Sequence, residues 1–141
     1  MRKLLPVLFL AFLTAVGCSR QTPPHVGKWD AKFYSKGNKP MGRVGTFYFA
    51  ENKKVQVSWD LPPRPTNVWE GKYKIDYSKD PSQLDINWNN KAMADLHGIF
   101  RFVGEGKDVI QYVYSFAKDE PRPTNFDNPD RAYWLTKKTK R

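Results

Sequence analysis

Cysteine is almost missing from this chain: Cys18 is the only one in 141 residues. Within a folded domain that excludes an intramolecular disulfide, a cysteine metal cluster and a cysteine nucleophile, so stability must come from apolar burial. Histidine is scarce too. His25 and His97 stand alone, and neither belongs to a His-Glu-x-x-His or His-x-His pattern of the kind that assembles a three-ligand metal site. No serine occupies a Gly-x-Ser-x-Gly elbow, and Gly104-Glu105-Gly106 reads as a hairpin turn rather than a phosphate cradle. These absences point away from an enzyme and imply no metal or cofactor. Long apolar runs are lacking as well: the thirteen uncharged residues 4–16 fall short of the ~20 helical residues that cross a bilayer.

That short run is nonetheless informative. Arg2 and Lys3 precede it and Gly17 follows it, the layout of a secretory signal with a charged start, an apolar centre and a small-residue cleavage site. Ala15-Val16-Gly17-Cys18 resembles the lipobox of bacterial lipoproteins. The resemblance implies that the Cys18 sulfur takes a diacylglycerol and becomes an acylated N-terminus, a membrane anchor in the cell envelope facing the periplasm or the exterior. Ala15 and Gly17 also suit ordinary signal peptidase, which would cut the same bond. An exposed lone thiol is a liability in an oxidising compartment, which favours lipidation. The expected organisation is a signal peptide over residues 1–17, a lipidated N-terminus and tether over 18–25, one domain over 26–138 and a basic tail over 139–141.

Removal of residues 1–17 leaves 124, a single-domain length at which roughly two thirds of the unfolded surface is buried. Loss of Arg2 and Lys3 lowers the formal charge of +10 by two. An exported basic protein seldom meets nucleic acid, so anionic head groups or acidic envelope polymers are the nearer partners. The one dense basic run is Lys137, Lys138, Lys140 and Arg141, which reads first as a solvated tail.

Beyond the Pro23-Pro24 of the tether, the apolar pattern has period two. Val55, Val57 and Trp59 alternate with Lys54, Gln56 and Ser58; Trp69, Gly71, Tyr73, Ile75 and Tyr77 share one face opposite Glu70, Lys72, Lys74 and Asp76. Segments 28–35, 44–48, 84–88, 97–103, 109–116 and 132–138 complete about eight strands. Short turns between them predict antiparallel neighbours, and residues 89–96 predict a loop or one helical turn. A sheet with one solvated face and one aromatic face closes most economically into a barrel, which removes its edges.

Gly27-Lys28-Trp29 opens the first strand, as Gly-x-Trp does in lipocalins. With Gly71-Lys72-Tyr73-Lys74-Ile75-Asp76, Pro81, Leu84-Asp85-Ile86, Gly98-Ile99-Phe100 and Glu120-Pro121-Arg122-Pro123-Thr124-Asn125-Phe126, the chain resembles a short planctomycetal lipocalin-like domain of unknown function over residues 26–138. The resemblance implies an all-β, calycin-type antiparallel barrel and an exported address, with no activity or functional residues to carry over. In that setting Gly27 and Trp29 are structural, with the indole in the core beneath a cation from the last strand, Arg131 or Lys137.

Pro63-Arg64-Pro65-Thr66-Asn67 recurs as Pro121-Arg122-Pro123-Thr124-Asn125. Each copy predicts a stiff loop, because proline fixes φ while Thr and Asn bond nearby backbone. If both opened on one rim, Arg64 and Arg122 would clamp an anionic group; otherwise both are rigid turns. Nineteen aromatics remain beyond the signal, enough to fill a barrel with some left to line a pocket. Two functional expectations follow: a carrier of a small apolar or amphipathic ligand, or a non-enzymatic envelope module that binds a protein or anionic polymer through its loops and basic surface.

Overall fold

The computed structural model describes residues 20–36, 39–60, 67–127 and 129–139, with the backbone alone at Arg43 and Val44. Cys18, Arg64 with the rest of 63–66, and the tail residues Lys140 and Arg141 lie outside the described residues.

Eight strands follow the alternation: β1 (Gly27–Ser35), β2 (Lys39–Phe49), β3 (Lys54–Trp59), β4 (Asn67–Asp76), β5 (Ser82–Trp88), β6 (Leu96–Val103), β7 (Val109–Phe116) and β8 (Arg131–Lys137). Each pairs antiparallel with the next, and β8 pairs with β1 to close the barrel. The sequence expectation of an all-β antiparallel barrel of about eight strands is what is found. Closure leaves no edge strand among the eight. β2 starts well before the alternating segment 44–48, because a bulge in β1 between Lys32 and Tyr34 resets the register and lets Tyr34 pair with Pro40. Residues 89–95 form turns and bends rather than a helix: the Asn90 carbonyl accepts from the Met93 N–H and its side chain from the Ala92 N–H.

With an even number of strands in up-and-down order, connections alternate between two ends. Residues 20–26, the β2–β3, β4–β5 and β6–β7 turns and the chain after β8 share one, here called the tether end. The β1–β2, β3–β4, β5–β6 and β7–β8 connections share the other, the loop end.

Inward positions carry the rings and branched residues that the period-two pattern predicts. Trp29, Phe47, Phe49, Val57, Trp59, Ile86, Tyr112 and Leu135 are at most 1% exposed, and all belong to one continuous core. Room for these rings requires a residue without a side chain. An ideal Cβ on Gly45 would lie 2.6 Å from Cε3 of Trp59, so the indole lies over bare backbone there. Gly27 has φ near +131°, a bend that L side chains rarely adopt, where the chain turns into β1.

One sequence expectation needs correction. The outer face of the sheet is not solvated throughout: Ile99, Val113 and Ala132 form a second, smaller core on the outside of β6, β7 and β8, packed with Tyr34 and Phe126. The β7–β8 connection folds back over this wall as a strap and gives both faces of β7 a cover, which is why five consecutive residues from Ile110 to Tyr114 are buried.

Candidate functional site

Three places on the barrel concentrate polar chemistry or unusual burial. The first is the tether end. Pro23 and Pro24 turn the chain, with the Val26 N–H donating to the Pro23 carbonyl at 3.0 Å, and His25 drops into the barrel mouth where it is 3% exposed. The Trp29 indole N–H donates to the His25 carbonyl at 2.9 Å. The Tyr73 hydroxyl donates to the Ala50 carbonyl at 2.7 Å, so its oxygen is left to accept from His25 Nε2–H at 3.1 Å. His25 Nδ1 then has no hydrogen and accepts from the Tyr77 hydroxyl at 2.7 Å. One neutral tautomer satisfies every partner. Burial first, and the Lys53 charge second, hold the imidazole down at about 4, while burial first pushes the Tyr77 hydroxyl up to about 12.

Trp29 is fully buried, and the Nζ of Lys137 lies 5.4 Å from its ring centroid, so of the two cations named from sequence Lys137 is the cap. Arg131 instead stacks at 4.3 Å on Phe116 and pairs with Glu120 at 2.6 Å. That hydrogen bond is the main reason the Glu120 carboxyl sits below the usual carboxylate range. His25, the last residue of the 18–25 tether expected from sequence, is itself buried in the barrel end.

The second place is the strap. Arg122 forms a two-pronged pair with Asp85, at 2.6 Å to Oδ1 and 3.1 Å to Oδ2, and donates to the Gly98 carbonyl at 2.8 Å. An external anion would have to displace this carboxylate, since the fork of Arg122 is already filled. The β3–β4 connection that carries Arg64 starts from Asp60 and returns at Asn67 at the same loop end, but Arg122 itself reaches down the barrel wall to β5 and β6. His97 Nε2–H donates to the Glu120 carbonyl at 2.8 Å, and the Arg101 guanidinium lies 4.4 Å from the centroid of Phe126. The second pentapeptide is thus a clasp on the strap.

The third place was not singled out by sequence. At the loop end of the lumen, Trp69 meets Trp59 at 5.9 Å and Trp88 at 5.8 Å, both edge to face, and Tyr133 lies 5.6 Å from Trp59. Trp69 and Phe33 are half-buried against the core, whereas Trp59 is 1% exposed. Trp59 Nε1 is the one buried side-chain nitrogen or oxygen among the described residues with no hydrogen-bond partner. No spacing rule would have found it, because it depends on how rings from β2, β4 and β8 settle around the indole.

Described clefts lie on the outside of the barrel. One of about 370 Å³ runs over Tyr48, Gln56, Glu70 and Lys72, and one of about 940 Å³ lies beside Gly27, Lys28, Tyr48 and Lys138. Among the described residues, no group of three or more His, Cys, Asp or Glu is placed to hold a metal, and no helix is long and apolar enough to cross a membrane. No protein-family model, curated protein or solved structure matches this chain.

Proposed function

We propose that this chain is an exported, lipid-anchored, lipocalin-like barrel that binds a small apolar or amphipathic molecule at its loop end and performs no chemistry of its own. The observation that carries the reading is the aromatic mouth: Trp59, Trp69 and Trp88 in edge contact, with Trp69 half-buried at the rim. Stacked and edge-on rings offer an apolar guest large contact area with little side-chain entropy to lose. The lumen beneath is filled by Phe47, Tyr112 and Tyr133, so the site is a shallow mouth rather than a deep calyx.

The anchor rests on the sequence alone, on Arg2, Lys3, the uncharged run and Ala15-Val16-Gly17-Cys18. Cys18 precedes the first described residue, Arg20, by two positions, so an anchor there would set the tether end against the envelope membrane and turn the mouth toward the periplasm or exterior. Gly27 and Trp29 at the head of β1 and the closed barrel support kinship with the planctomycetal lipocalin-like domain.

Protein purified from its native membrane and extracted with organic solvent should release an apolar small molecule detectable by mass spectrometry. The amount should fall several-fold for Trp69→Asp, and matching extracts from the two proteins would overturn the reading. The filled lumen favours a second reading, a non-enzymatic envelope module for a protein or anionic polymer; that module would bind its partner equally well with Trp69→Asp.

A further inference from the structure

We propose that Trp59 Nε1–H is the polar contact of the loop-end site, and that its ligand is a flat apolar molecule presenting one hydrogen-bond acceptor, a carbonyl or ether oxygen. This rests on the reading of the loop end as a binding mouth. A buried donor left unpaired carries an uncompensated desolvation cost, and the great majority of buried polar groups avoid it. Trp59 does not avoid it: its nitrogen has no partner although the residue is 1% exposed.

The surroundings explain why the protein does not supply one. Trp59 ends β3, and its backbone is committed to the ladders opposite Gly45 and Asn67. Among the described residues its ring neighbours are Phe47 at 6.2 Å, Trp69 at 5.9 Å and Tyr133 at 5.6 Å. A trapped water needs about two to four polar partners, and of these three rings only Tyr133 carries an acceptor, its hydroxyl. Gly45 adds a second sign of shaping, since the absence of its side chain is what lets the indole lie against β2 in this pose. An incoming acceptor that reached the indole past the half-buried Trp69 would satisfy it and gain the full worth of a hydrogen bond made in an apolar site. The arrangement selects against pure hydrocarbons, which leave the donor bare.

The test uses a matched pair of probes on the full chain, 2-acetylnaphthalene and 2-isopropylnaphthalene, which share a ring system and shape but differ in one acceptor. Titration calorimetry should give the ketone about tenfold tighter binding, about 1.4 kcal/mol. The indole N–H signal that disappears in Trp59→Phe should move downfield with the ketone only. Trp59→Phe should lower ketone affinity to that of the hydrocarbon and leave the hydrocarbon unchanged. If that variant does not fold, replacing Trp59 with 3-benzothienylalanine keeps the shape and removes the N–H, and the same loss is expected. Equal affinities in the parent, or a ketone preference that survives loss of the N–H, overturn the role of Trp59 while leaving the mouth as a binding site. Binding of neither probe overturns both.

Discussion

His25 Nδ1 and the Tyr77 hydroxyl meet at 2.7 Å although 52 residues separate them, and the bond joins the start of the domain to the residue just past β4. With Nδ1 as the acceptor, the bond in this direction exists only while the imidazole is neutral. The folded state holds His25 near 4 and the unfolded chain near 6.5, so the unfolded chain binds the proton first as pH falls. Stability is therefore complete above about pH 6.5 and declines between there and about pH 4. The gap corresponds to about 3 kcal/mol. Urea unfolding at pH 7, 5.5 and 4.5 measures it, and His25→Phe should remove most of the slope between those points. A stability flat across that window in the parent would sink the assignment.

Gly45→Ala tests the bare patch beneath Trp59. The new Cβ would lie 2.5 Å from the Ser58 carbonyl oxygen and 2.6 Å from the indole, and neither the ladder nor the ring can yield without loss elsewhere. Overpacking of this kind costs about 1–3 kcal/mol. Thermal melting with tryptophan emission as the probe should show a lower midpoint and altered emission; an unchanged melt would mean that the wall gives way freely.

The clasp between Arg122 and Asp85 should appear as coupling in a double-mutant cycle. Both side chains are partly exposed, 26% and 33%, so the pair is worth about 1 kcal/mol rather than the larger figure of a buried pair. Arg122→Ala, Asp85→Ala and the double variant, compared by urea unfolding, measure it. Additive single effects would show that the strap does not depend on the clasp, and would return Arg122 to the anion role expected from sequence.

Lipidation is tested at its source. Cys18→Ser should release the protein from membranes after detergent-free washing, and intact mass of the parent should exceed that of the unmodified chain from Cys18 onward. A variant that stays membrane-bound would remove the anchor.

Strands and closure were legible because the barrel wall imposes a strict alternation, and Val55-Gln56-Val57-Ser58-Trp59 writes it out plainly. Tyr77 shows where the pattern overreaches. Its parity matched Tyr73, yet it lies past the end of β4, where it is 48% exposed and its ring packs on Phe100. His25 was hidden by its neighbours, since Pro23 and Pro24 read as a tether and its partners lie 48 and 52 residues away. The outer core did leave a trace: Val109, Ile110, Tyr112, Val113 and Tyr114 break the alternation, and a nearly continuous apolar strand signals cover on both faces. Trp59 could not have been told from any other core tryptophan, because what distinguishes it is the lack of an acceptor in three dimensions.

Closure by an even count of staves makes the strand order cyclic. The Lys138 N–H donates to the Lys28 carbonyl at 2.9 Å, so head and tail of the domain lie side by side on one rim. A permuted gene could splice residue 139 to residue 25 and open the ring at any hairpin without altering the wall. The hairpin chosen would decide which way up an anchored molecule stands: opened at the β2–β3, β4–β5 or β6–β7 turn it keeps its present orientation, and opened at any of the other four connections it is inverted, aromatic mouth toward the lipid.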